Sequence, residues 1–217
     1  MKILILSQYF YPENFRINDI AKNLVKNGHN VTVITGLPNY PDGEFFDGYG
    51  FFKKNKTENY HGVKVVRCSI YPRKNGSTIN LILNYLSYAF SASVKTLSLR
   101  KSNFDISLAF AVSPITVVLP GIFLKYIKAT PLVTWVQDLW PESVVAASSL
   151  KNRFILSLIE KLVIYIYKNT DKILVSSKGM IDSIISKKVH RSKISYLPQW
   201  AEGVFEKNVI TRNVSIT

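Results

Sequence analysis

Between Thr134 and Ser143 the chain reads TWVQDLWPES, and an apolar, β-branched run gives way to Gln137, Asp138, Trp140, Pro141 and Glu142. A carboxylate at the end of such a run, as at Asp138 beside Gln137, orients a hydroxyl or accepts a proton. The alternative is that Asp138 caps the helix that Pro141 is placed to start. A second group is Asn14, Phe15 and Arg16, where a helix begins and its unpaired amides and dipole favour an anion. Here the competing reading is that Asn14 caps the helix and Arg16 is solvated. A third lies in GLPNYPDGEFFDGYGFFKKN, a long loop holding Asn39 and Tyr40. Rings alternating with Asn and Asp suit a sugar, whose apolar faces stack while its hydroxyls bond; the alternative is aromatics packed under their own loop.

What is absent narrows the chemistry. The segment QYFYPENFRIND has no glycine. Both the dinucleotide fingerprint and the phosphate loop need glycine for close backbone approach, so NAD and ATP lose ground as ligands. Cys68 is the one cysteine. It allows no internal disulfide, and no CxxC or His/Cys pair offers metal-ligand spacing. The expectation is no cofactor and no metal.

These groups need elements to hold them. Short β-branched runs alternate with stretches of helical period, the pattern of a mostly parallel, doubly wound α/β sheet. Strands are expected at KILILS, NVTVIT, VKVVRCS, FDISLAF, PLVTWVQ, DKILVSS and KISYL, giving about seven in all. Helices are expected from about Asn14 to Asn27 and near residues 79 to 100, 114 to 128, 153 to 168 and 178 to 187. In such a sheet ligands sit outside the carboxyl ends of the strands, where these three groups fall.

With 217 residues and 47% hydrophobic content, the chain can bury one sizeable core, or at most one and a half domains. KILILSQYF is too short an apolar run for a secretory leader, so a cytosolic location is expected. A net charge of +14 calls for an anionic partner: nucleic acid, a phosphorylated substrate or anionic lipid. Ten basic against three acidic residues lie between Lys151 and Lys193, but without the clustered Arg and interleaved glycine of RNA-binding motifs. A lysine-rich solvated surface is the plain alternative. Two uncharged stretches, Asn75 to Val94 and Ile106 to Leu124, are long enough to span a bilayer. The second holds Pro114, Pro120 and Gly121 and splits into strand, turn and helix. The first reads as a core helix, a membrane-surface helix flanked by Arg73, Lys74, Lys95, Arg100 and Lys101, or a span.

Three blocks, ILILSQYFYPENFRINDIAKNLVKNGHNVTVITGLPNYPDG, TWVQDLWPES and ISYLPQWAE, resemble the amino-terminal domain of family-4 retaining glycosyltransferases of the GT-B fold. The likeness is greatest to bacterial O-antigen and capsule enzymes, including N-acetyl-L-fucosamine transferases. It implies a Rossmann-like acceptor-side domain over residues 1 to 202, with 203 to 217 a linker or the start of a donor-binding domain. The family's pair of donor-site glutamates, separated by seven residues, has no counterpart here. The resemblance therefore implies half an enzyme, inactive alone, with nucleotide sugar and lipid-linked saccharide acceptor as partners at the inner face of the cytoplasmic membrane. It also implies that Gln137, Asp138, Trp140 and Glu142 face the cleft. Many relatives carry His at position 137, and glutamine does not titrate, so a proton-handling role there is in question. The leaving phosphate would assist the acceptor hydroxyl, leaving positioning and charge stabilisation to the protein. A non-catalytic module for anionic or carbohydrate ligands, and a nucleic-acid protein suggested by charge alone, are the competing readings; no nucleic acid is expected.

Overall fold

A computed structural model of the chain describes residues 1–52, 57–99, 101–147 and 152–199. Arg100, the expected domain exit at Glu202 and the segment 203–217 lie outside the described residues. The strands are β1 (Lys2–Leu6), β2 (Asn30–Gly36), β3 (Thr57–Tyr60), β4 (Val63–Cys68), β5 (Ile106–Ala111), β6 (Leu132–Val136), β7 (Lys172–Val175) and β8 (Ile194–Tyr196). The helices are α1 (Arg16–Lys26), α2 (Thr78–Ser98), α3 (Leu119–Lys128), α4 (Glu142–Ala147), α5 (Arg153–Asn169) and α6 (Met180–Ser186).

The eight strands form one sheet in the order β3-β4-β2-β1-β5-β6-β7-β8. All neighbours are parallel except β3, which runs antiparallel to β4 at the edge. The seven expected strands are present, six on apolar runs and the short edge strand β8 on ISY. The eighth, TENY, is polar and partly exposed, so its sequence carries no strand pattern. It pairs because His61 and Gly62 both take positive φ, 49° and 85°, the backbone of a two-residue hairpin turn that matches sheet twist. From β1 the chain builds outward through β2 and β4, then returns to β5 and builds the other way. The loops diverge at this β1/β5 reversal, which makes the carboxyl edge there a natural cleft.

Alternation along the strands sorts the core into two layers. Leu4 and Leu6 enter a cluster with Tyr88 and Ala92 of α2, Ile122 and Leu124 of α3 and Val163, Ile166 and Tyr167 of α5. Ile3 and Ile5 point the other way, to Ile17, Ile20 and Ala21 of α1. Helix ends differ from expectation for local reasons. Phe15 is extended (φ −129°, ψ 149°) and is the N-cap residue of α1, with no side-chain cap. Asn14 therefore does not cap this helix. The stretch expected as one helix from 114 to 128 begins as a 3-10 turn, Ile115–Val118, before α3, which carries Pro120 in its first turn. Among the described residues no helix is long and apolar enough to cross a membrane, which removes the spanning reading of Asn75 to Val94.

Candidate functional site

The glycine-free loop after β1 is held by its own side chains. Ser7 Oγ donates to the Tyr9 carbonyl at 2.6 Å, and Asn18 Nδ2 donates to the Glu13 carbonyl at 2.7 Å. Glu13, only 2% exposed, accepts from the amides of Phe10 (3.2 Å), Asn39 (2.9 Å) and Tyr40 (2.9 Å). One carboxylate thus joins the β1 loop to the long loop after β2. Burial pushes its carboxyl up to about 7, against the three amides and Arg67, which favour the charged form.

That junction sets three rings together. Tyr9 stacks on Phe15 at 5.0 Å, and Tyr40 meets Tyr9 at 5.5 Å and Phe15 at 5.3 Å. Arg73, from the loop between β4 and α2, lies over Tyr40 at 5.1 Å and donates to Tyr9 Oη at 2.6 Å. Beneath them runs a buried amide chain. Gln8 Nε2 donates to Asn84 Oδ1 at 2.6 Å, and Asn84 Nδ2 donates to the Tyr71 carbonyl at 2.6 Å and Asn39 Oδ1 at 3.4 Å. Asn39 Oδ1 also accepts from the Arg73 amide at 3.0 Å. The chain ends at Gln8 Oε1, a buried acceptor with no partner among the described residues.

QDLWPES approaches the same helix: Trp140 packs edge-on against Tyr85 of α2, with ring centroids 6.3 Å apart. Trp140 Nε1, Gln137 Nε2 and Ser143 Oγ are buried without partners among the described residues. Most buried polar atoms in proteins are paired, so such groups at the carboxyl edge of the sheet are suited to ligand hydroxyls or ordered water. Gln137 Oε1 accepts from Gln199 Nε2, just past β8. The Asp138 carboxylate, half-buried, makes no hydrogen bond or ion pair among the described residues, and burial raises its carboxyl from its ordinary value. The first amides of α4 go elsewhere, Ser143 N to the Leu139 carbonyl at 2.7 Å and Val145 N to the Pro141 carbonyl at 3.1 Å. Glu142 is committed otherwise. Its Oε1 accepts from Ser183 Oγ at 2.9 Å and from Lys187 Nζ, tying α4 to α6. Burial raises its carboxyl, and these bonds outweigh that and hold it below its ordinary value.

The structure therefore gathers Phe15, Asn39 and Tyr40 around one junction and sets Gln137, Asp138 and Trp140 in a loop that touches its supporting helix. Asn14 is exposed one residue before the helix cap, and Arg16 is half-buried at the first position of α1. Glu142 serves the α4–α6 contact. The sequence does not mark Gln8, Tyr9, Glu13 or Gln199, and it marks Arg73 only as a cation flanking the stretch from Asn75 to Val94. Glu13 carried no signal, and Asn84 carried one as an amide among the apolar residues of the expected helix.

A parallel sheet with its strand order reversing at β1/β5, and aromatic and amide groups crowded at that edge, defines a Rossmann-like unit of the GT-B type. The chain belongs to Glycosyltransferase Family 4, whose model matches residues 15–200. It is 25% identical over 210 residues to WcaI of Escherichia coli K12, named as a colanic acid biosynthesis glycosyl transferase, covering 93% of this chain and 51% of that protein. Among solved structures it resembles Anabaena HepE in complex with UDP and glucose, at a TM-score of 0.55 and 13% identity, covering 93% of this chain and 45% of that one. A lipopolysaccharide outer core galactosyltransferase, WaaB in its apo form, matches at 0.50 and 13%, with 93% and 47% covered. At such identity these structures establish the fold. The chain spans about half the length of the relatives it matches.

Proposed function

We propose that this chain is the acceptor-side domain of a retaining glycosyltransferase that moves a hexosyl group from a nucleotide-diphosphate sugar to a lipid-linked oligosaccharide during bacterial surface polysaccharide synthesis. UDP-N-acetyl-L-fucosamine is the donor that the sequence resemblance favours, and O-antigen or capsule the product class. Turnover then requires a donor-binding domain, as the relatives' greater length supports. No metal takes part in this reading, and the enzyme works at the cytoplasmic face of the membrane.

The observation that carries the proposal is the concentration of unsatisfied polar atoms and clustered rings at one edge of the sheet: Gln8 Oε1 beneath Tyr9 and Tyr40, and Gln137 Nε2 and Trp140 Nε1 beside Asp138. Rings of this kind bury a sugar's apolar face, and the unpaired amide and indole groups bond its hydroxyls. Asp138 accepts a hydrogen bond from a neighbouring hydroxyl of the acceptor sugar and so holds the attacking hydroxyl toward the anomeric carbon. As the glycosidic bond forms and the bond to the diphosphate breaks, the hydroxyl's proton passes to the departing phosphate oxygen. Rate comes from positioning, which is why remote loop contacts matter.

Replacing Asp138 tests this, in the chain joined to a donor-binding domain. Asn keeps the shape and the capping capacity of Asp but loses the charge and one acceptor. Asp138→Asn is expected to lower turnover by about tenfold to thousandfold, at about 1.4 kcal/mol per decade. Melting temperature should be unchanged. Full activity in Asp138→Asn, with lowered stability in Asp138→Ala, would reduce Asp138 to a helix cap and remove it from the site.

A further inference from the structure

The polarity of α2 is inverted. Its inward side carries Asn84 and Thr96, both fully buried, along with Tyr88 and Ala92. Hydroxyls of Ser87, Ser93 and Thr96 fold back onto carbonyls of the preceding turn. Its outward side carries Ile79, Leu83, Leu86, Phe90, Val94 and Leu97, all exposed, with Ile79 at 71% and Phe90 at 74%. The spacing of three or four residues lays them in one stripe along a helix of 21 residues, a length of about 31 Å at 1.5 Å per residue. A helix facing water carries charge on that side. In α2 the one charged residue is Lys95. Contiguous apolar surface of this extent marks a docking face.

We propose that this face of α2 docks on the surface of an anionic lipid bilayer. Charge selects that occupant. Between Glu58 and Asp105 the chain has no acidic residue, while Lys64, Lys74, Lys95 and Lys101 are among its cations. Lys74 precedes the helix and Lys101 follows it, both exposed, so each end of the stripe is cationic. Beside the stripe, a groove of about 360 Å³ is lined in part by Phe90, Val94, Ser91, Lys95 and Ser98. The Ser91 and Ser98 hydroxyls donate to the Tyr88 and Lys95 carbonyls, so the Lys95 ammonium, set beside two apolar residues, is the group that meets a lipid phosphate where acyl chains begin. A second copy of the same face would bring these cations against one another across an isologous contact, which counts against a dimer. The helix lies on the bilayer, since no described helix can cross one.

This inference goes beyond the transfer reaction, and its test contains neither nucleotide sugar nor saccharide, so the two readings stand or fall separately. The 217-residue chain is floated with vesicles of phosphatidylcholine alone or mixed with phosphatidylglycerol. It is expected to float with the anionic vesicles only and to be released as salt is raised. The double variant Leu86→Ser/Phe90→Ser removes apolar groups that touch solvent, so its melting temperature should hold, while vesicle affinity falls by about tenfold or more. A second measurement avoids any loss of folding: in Phe90→Trp, emission should shift to the blue and be quenched by brominated acyl chains on anionic vesicles. Equal binding to neutral vesicles, undiminished binding by the double variant, or an unquenched Trp at position 90 would overturn the proposal. So would light scattering that shows a dimer which the double variant dissolves, since the face would then belong to a second copy.

Discussion

Glu13 shows how much one side chain decides here. Its carboxylate collects three backbone amides from two loops, among them those of Asn39 and Tyr40, 26 and 27 residues away in sequence. Nothing in FYPENFR announces this, because an acid amid aromatics and Asn reads as solvated; burial comes only when the second loop arrives. The consequence is a pH dependence with a definite sign. Burial raises Glu13 from 4.5 to about 7, so between those values the folded protein holds a proton that the unfolded chain releases. Its contribution to stability is complete below the unfolded value and is lost as pH rises through about 7, by up to roughly 3 kcal/mol. In Glu13→Gln that slope disappears. Melting temperatures taken from about pH 5 to about pH 8 should therefore fall more steeply for the wild type than for Glu13→Gln. Parallel curves would mean that Glu13 is ionised throughout. Asp138 lacks such partners, and for that reason its sequence context alone could not separate a site residue from a cap.

At the scale of elements, the strands were legible and their neighbours less so. The central strands are apolar runs buried on both faces, whereas β7 alternates half-buried with buried residues and β8, at the edge, ends in the exposed Tyr196. The edge strand β3 was invisible because TENY has no apolar period and depends on the His61–Gly62 turn. The start of α1 was misplaced by the extended Phe15, whose ring belongs to the cluster with Tyr9 and Tyr40. The loop that bears Tyr40 rests on a further element contact, at Gly43. There φ is +86°, a Cβ would stand 1.8 Å from the Lys74 carbonyl oxygen, and the Gly43 carbonyl accepts the Lys74 amide at 2.8 Å. No side chain fits without separating this loop from the one that carries Arg73. Gly43→Ala should cost more than about 1 kcal/mol in urea unfolding and weaken the near-ultraviolet circular dichroism of the Tyr9–Tyr40–Phe15 group. An unchanged midpoint and spectrum would show that the two loops do not depend on each other.

At the scale of the whole molecule, the sheet brings loops from β1, β2, β4 and β6 to one edge, and α2 supports them from its buried side through Asn84 and Tyr85. The same helix turns its apolar side outward. The proposed saccharide cluster and the proposed membrane face thus lie on opposite sides of one element, an arrangement suited to an acceptor whose lipid lies in the bilayer. Net charge raised the expectation of an anionic partner from composition, and the inverted α2 is the surface proposed for it. Saccharide binding by the loop cluster is open to direct measurement through the three indoles of the chain. Trp140 Nε1 is buried without a partner among the described residues, whereas Trp135 Nε1 donates to the Leu197 carbonyl at 3.1 Å within the core. Nitrogen–proton correlation spectra of the chain, titrated to millimolar levels with glucosyl, galactosyl and N-acetylhexosaminyl glycosides, should show the Trp140 indole and the amides of Tyr9, Tyr40 and Arg73 moving together, with the Trp135 indole fixed. A cluster that stays still across every glycoside, or shifts confined to another face, would contradict the account.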